Sequence, residues 1–103
     1  MLSLINTQQM SIENLLIEAD RLVKAEDSRA ALEKYKEIVG IDEKHVEAHF
    51  MIGEMHHQLG ELPAALSAYH ITTDLQPDHK KANVKIEMIK SILDFFNPDL
   101  YNP

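Results

Sequence analysis

Residues 52–77 read IGEMHHQLGELPAALSAYHITTDLQP, and their pattern decides the fold. Gly53 stands inside a helical pattern, Gly60 and Pro63 interrupt it, Ala65 and Tyr69 open a second helical face, and Pro77 closes it. A glycine in mid-helix costs about 1 kcal/mol against alanine. It persists where something approaches the backbone closely. The pattern predicts that Gly53 and Ala65 meet where two antiparallel helices touch. Leucine at either position is expected to overpack that contact by roughly 1–3 kcal/mol.

Helical periodicity extends outward from this stretch in both directions. Ser11 is placed as the cap of a first helix from Ile12 to about Ala25, with Leu15, Ala19 and Leu22 on one face. Asp27 or Ser28 caps a second helix to Val39, which carries Ala31, Leu32, Tyr35 and Ile38 and stops at Gly40. A third helix is predicted from about Lys44 to Leu59, stopping at Gly60. Pro63 suits the first turn of a fourth, where its missing N–H has no intrahelical partner in any case. That helix ends near Leu75. A fifth runs from about His79 to Phe96, and Asn97-Pro98 ends it.

A shift of 34 residues lays the second helix on the fourth. Ala31 falls on Ala65, Leu32 on Leu66, Tyr35 on Tyr69 and Ile41 on Leu75; Leu16 falls on Phe50, and Phe50 on Val84. A two-helix unit of this period resembles the tetratricopeptide repeat, whose pattern is W-x2-L-G-x2-Y, then A-x3-F, then P. The second copy reads His49-x2-Ile52-Gly53-x2-His56, then Ala65-x3-Tyr69, then Pro77. The first reads Leu15-x2-Glu18-Ala19-x2-Leu22, then Ala31-x3-Tyr35, with Glu43 at the proline position. The resemblance covers residues 12 to 79. In the second copy, histidine replaces both large aromatics of the first helix.

The expected architecture is all-α: five helices arranged as tandem antiparallel hairpins, in the manner of an α-solenoid. Repeat one spans 12–45, repeat two 46–79, a capping helix 80–96 and a C-terminal tail 97–103. Positions 49, 53 and 56 are expected to face the second helix of their own repeat. Their 34-shifted equivalents are Asn83, Glu87 and Lys90, all polar, whereas Ala82, Ile86, Ile89, Leu93 and Phe96 form an apolar stripe. One apolar and one polar face suit the end of an array. Phe96 is expected to finish the core while the tail covers the end.

Composition narrows the function. The chain has 103 residues, a net charge of −7 and no cysteine. Its length suits one small domain. The acidic balance opposes nucleic-acid binding, and no apolar run approaches a membrane span. The absence of cysteine and of a basic, apolar leader at the N-terminus fits a cytoplasmic protein. No nucleophile elbow, phosphate-cradling glycine loop or dinucleotide fingerprint is present, so no catalytic residue and no cofactor is assigned. Six histidines raise a metal question. His45 and His49 are spaced i, i+4, and Glu54-x-x-His57 matches half of a di-iron carboxylate motif. The other half has no counterpart, and no metal site is assigned.

The resemblance implies a binding groove beside the packing face of each repeat's first helix. Carried onto this sequence, it places Leu16, Asp20 and Val23, then Phe50, Glu54 and His57, then Val84 and Met88 along that groove. One subgroup of the family clamps acidic chaperone tails with Lys, Asn and Arg. The matching positions here are Leu16, Asp20, Met51 and Glu54, so that clamp is missing. The expected partner is a protein or peptide with apolar and basic residues. The alternative is a homodimer formed through the groove or through the tail that follows Phe95 and Phe96 and carries Tyr101. A histidine-based metal protein is the third reading.

Overall fold

Between Leu4 and Ser11 the sequence holds neither proline nor glycine, and the first helix runs straight through it. In the computed structural model, which describes the backbone of residues 4–96 and the side chains of residues 9–96, α1 spans Leu4–Lys24. Ser11 is therefore a mid-helix residue and not the predicted cap. Serine is an indifferent helix former and does not by itself stop a helix. Arg21 and Lys24 in the last turn complement the negative end of the helix dipole. The tail 97–103, with the predicted stop at Asn97-Pro98, lies outside the described residues.

Four more helices follow: α2 Ser28–Ile41, α3 Val46–Gln58, α4 Leu62–Leu75 and α5 Lys80–Phe96. The described residues hold helices and no strand. Each helix packs against its neighbour in sequence, so the chain folds as successive antiparallel hairpins. The architecture is all-α, as the periodicity predicts. Gly40 does not stop α2, which continues to Ile41 and is capped by Asp42.

The 34-residue shift governs packing as well as sequence. In one core cluster Ala31 and Tyr35 of α2 join Ala48, Ile52 and Met55 of α3. In the other, Ala65 and Tyr69 of α4 join Ala82, Ile86 and Ile89 of α5. Every member of the second set lies 34 residues beyond its counterpart in the first. The caps repeat too. His45 Nδ1 accepts from the N–H of Ala48 at 3.1 Å, and His79 Nδ1 from that of Ala82 at 3.0 Å. His49 Nε2 donates to the carbonyl of Glu43 at 2.8 Å, and Asn83 Nδ2 to that of Pro77 at 3.0 Å.

The turn inside each hairpin is a third repeated element. After α1, Glu26 N–H donates to the carbonyl of Val23, and Asp27 N–H to that of Leu22. After α3, Gly60 N–H donates to the carbonyl of His57, and Glu61 N–H to that of His56. Both are Schellman closures, which need a left-handed residue just past the helix. Gly60 fills the role at φ 75°, and Glu26 at φ 60°. A side chain meets a steric penalty there that glycine does not. Glu26→Gly is accordingly expected to stabilise the domain by about 0.5–1 kcal/mol, less the extra chain entropy of glycine. Thermal unfolding followed by circular dichroism would read this as a rise of about 2–6 °C. A fall would show that strain at Glu26 is negligible.

The atoms nearest to a side chain at Gly53 belong to Tyr69. A Cβ built on Gly53 would lie 2.6 Å from Tyr69 Cε1 and 2.7 Å from Cδ1. Ala65 belongs to the cluster that α4 forms with α5. The close approach predicted within the second hairpin is present, and the nearest group is an aromatic ring. At the end of the array, Asn83, Glu87 and Lys90 are exposed. Phe96 does not finish the core: it is 71 % exposed, beside Phe95 at 79 %. Leu93 and Leu62, the first residue of α4, both pack against the second cluster, so the apolar stripe of α5 is covered as far as Leu93.

Candidate functional site

The odd-numbered helices share a face, and three shallow depressions lie along it. The first is lined by Leu16, Ile17 and Asp20 of α1, Tyr35 of α2 and Glu47 of α3. Another is bounded by Phe50 and Met51 of α3, Gln76 and His79 between α4 and α5, and Lys81 of α5. The third lies between Glu54, His57 and Gln58 of α3 and Lys85 of α5. Side chains one turn apart on a helix fall on one side of it. The repeat thus carries each odd helix's row to the same face as the last.

The residues singled out from the sequence are distributed over this face. Leu16 and Asp20 line the first depression. Glu54 and His57 line the third. Phe50 lines the depression near the start of α5. Val23 is half-buried against the first core cluster. Val84 is 65 % exposed and Met88 37 % exposed on α5, and neither lines a depression. Of Leu16, Phe50 and Val84, only Val84 is exposed. Leu16 is half-buried against the first cluster, and Phe50 against the second. The Phe50 ring lies 5.7 Å from Tyr69 and 4.8 Å from His79, centroid to centroid.

Glu54 is not a free acid on this face. Its Oε1 accepts from the Tyr69 hydroxyl at 2.5 Å and lies 3.7 Å from Lys85 Nζ. Burial first, and then the bond and charge of Glu54, raise the Tyr69 hydroxyl far above the usual phenol range. The hydroxyl therefore stays a proton donor at all ordinary pH. Lys81 and Lys85 bring positive charge to the α5 end of the face and Asp20 makes the α1 end acidic, while Glu47 of α3 lines both the first depression and that of Lys81. Glu47, Lys81, Lys85, Ile17 and Tyr35 were not among the residues picked from sequence. The 34-residue frame held the signal, because Glu47 and Lys81 occupy equivalent places, as do Met51 and Lys85.

A polar network braces the back of the second hairpin. Arg29 of α2 reaches both carboxylate oxygens of Glu61, at 2.8 and 3.4 Å. His56 Nδ1 lies 2.9 Å from Glu61 Oε1. Hydrogen bonds from Arg29 first, and from His56, hold the Glu61 carboxyl below the usual range. Glu61 starts α4 without capping it by a side-chain bond, whereas its equivalent Asp27 caps α2 by accepting from the N–H of Ala30. The network ties the two hairpins together at the turn. Among the described residues no group of three or more histidine or acidic side chains is arranged to hold a metal ion. No helix among them is long and apolar enough to cross a membrane. No family model and no curated protein matches this chain.

Proposed function

We propose that this chain is a tetratricopeptide-like, non-catalytic interaction module that takes a peptide or helix across its odd-helix face. One observation carries the reading: one depression lies between α1 and α3 and two lie between α3 and α5, so a ligand crossing the odd helices meets a depression at each seam. The 34-residue repetition of packing, caps and turns supports the family resemblance. Exposed Ile17, Val84 and Met88 offer apolar contacts beside the charged groups. Affinity on the order of micromolar suits so short a face, since ordering the partner offsets much of the contact energy. The partner is a segment with apolar and basic residues, and the setting is cytoplasmic.

The reading is tested by fluorescence anisotropy with two labelled peptides, one alternating leucine with lysine and one carrying a run of aspartate and glutamate up to a free C-terminus. The first is expected to bind at micromolar concentration and the second not at all. Glu47→Lys and Val84→Asp, both on exposed side chains, are expected to weaken the first by about tenfold each. Tight binding of the acidic peptide, or indifference to both substitutions, would refute the proposal. A second reading, self-association, has its own observation in the exposed Phe95–Phe96 pair, whose rings meet edge to face at 5.2 Å. Light scattering over a concentration series, with Phe95→Ser and Phe96→Ser, separates the two.

A further inference from the structure

The two hairpins follow one plan, and one departure from it on the odd-helix face involves charge. Where the second hairpin meets α5, a buried hydroxyl, a carboxylate and an ammonium form a cluster on one oxygen: Tyr69 donates to Glu54 Oε1, and Lys85 Nζ lies 3.7 Å from it. Thirty-four residues earlier, these three positions are Tyr35, Asp20 and Met51. Tyr35 keeps its place in the core, only 4 % exposed. Aspartate is one methylene shorter than glutamate, and among the described residues the Tyr35 hydroxyl has no hydrogen-bond partner. Its oxygen is not sealed in, because no fully buried side-chain oxygen lacks a partner. It opens into the depression of 260 Å3 that Asp20 and Glu47 flank. Met51 supplies no charge, and Glu47 stands where α5 has Lys81. The depression between α1, α2 and α3 therefore presents two carboxylates and a hydroxyl, with neither lysine at the equivalent positions.

We propose that the depression between α1, α2 and α3 is a subsite for a lysine or arginine side chain of the partner, its cation standing as Lys85 of α5 stands toward the second hairpin. The proposal deepens the interaction reading and rests on it. The second hairpin supplies the template, a cation held beside the same hydroxyl-and-carboxylate pair. Burial first, then Glu47 and Asp20, push the Tyr35 hydroxyl up to about 12, so both carboxylates act on the space it faces. Leu16 and the 70 % exposed Ile17 offer an apolar wall for the stem of a long basic side chain. Lys24 Nζ lies 3.0 Å from Asp20 Oδ2, with side chains 77 % and 63 % exposed. A pair so open to solvent is weak, and a cation reaching Asp20, Glu47 and the hydroxyl together displaces it.

The test titrates the isotope-labelled full chain with the N-acetyl methylamides of lysine, arginine and norleucine, following amide shifts by NMR. Lysine and arginine are expected to perturb residues around Asp20, Tyr35 and Glu47, with norleucine at least about tenfold weaker. Asp20→Asn combined with Glu47→Gln is expected to weaken both cations about tenfold. Met51→Lys is expected to do the same by supplying the cation from within, in a chain whose urea midpoint is unchanged or higher. Equal binding of norleucine, perturbation spread over every acidic surface, or survival of binding in both variants would overturn the subsite. A leucine–lysine peptide that binds parent and variants alike would keep the interaction reading and remove the subsite. Lysine seated at Asp20 and Glu47, with no peptide bound anywhere, would do the reverse.

Discussion

Tyr69→Ala is expected to destabilise the domain by about 3–5 kcal/mol, the range for removing a large aromatic from a core. Tyr69 is fully buried and heads the largest buried side chains. A small domain has a total stability of about 5–15 kcal/mol, so the variant stands near the edge of folding. Gly53→Leu attacks the same contact from the other side. Even a methyl group at Gly53 would lie 2.6 Å from the ring. The ring has no room to swing, since it is packed on both sides and its hydroxyl is tied to Glu54. Overpacking there is expected to cost about 1–3 kcal/mol, after a gain of about 1 kcal/mol in helix propensity. The double variant is the sharper measurement. Leucine at 53 grows into space the ring has vacated, so the two losses are expected to fall short of their sum by at least about 1 kcal/mol. Urea unfolding of the four chains gives the coupling. Additivity within about 0.5 kcal/mol would mean that glycine is required at 53 for some reason other than the ring.

That contact also marks how far the sequence could be read. A glycine inside a periodic helix announces a close approach, but it does not name what approaches. The sequence pointed to Ala65, and the nearest group proves to be the ring of Tyr69. Gly40 and Gly60 look alike in sequence, yet only Gly60 takes a left-handed conformation. The helix around Gly40 simply continues, and its missing side chain has nothing within 4 Å. The left-handed turn of the first hairpin falls instead on Glu26, a residue type with no such preference. Only the repeat reveals it, by aligning Glu26 with Gly60. Periodicity put Phe96 on the same stripe of α5 as Leu93, but carried no information on whether anything packs against that last turn. The odd-helix face was legible in outline through Leu16, Asp20, Glu54 and His57. Its charge pattern was not, because Glu54 accepts from Tyr69 and pairs with Lys85 across helices, and such pairings appear only once the helices are set side by side.

The buried tyrosines make a second large effect, at alkaline pH. Both hydroxyls ordinarily lose their protons near pH 10. Burial comes first among the causes raising them in the folded chain, followed at Tyr35 by Glu47 and Asp20 and at Tyr69 by Glu54. Above pH 10 the unfolded chain therefore gives up two protons that the folded chain retains. Stability contributed by these groups is complete below pH 10 and falls as pH rises, by about 1.4 kcal/mol per pH unit for each tyrosine. Together they give a slope of roughly 3 kcal/mol per pH unit until Tyr35 titrates at about 12, after which Tyr69 alone continues it. Against a stability of about 5–15 kcal/mol, a rise from pH 10 to 11.5 removes a large fraction. Lys34, raised chiefly by Glu18, adds in the same direction, but its exposure to solvent leaves it a minor contributor. Urea midpoints between pH 8 and 11.5 measure the slope, and Tyr35→Phe is expected to halve it while leaving stability near pH 8 within about 1 kcal/mol. A flat profile, or one that Tyr35→Phe leaves unchanged, would place the Tyr35 hydroxyl in solvent. It would also take from the first hairpin the opening between Asp20 and Glu47 that a basic side chain is proposed to fill.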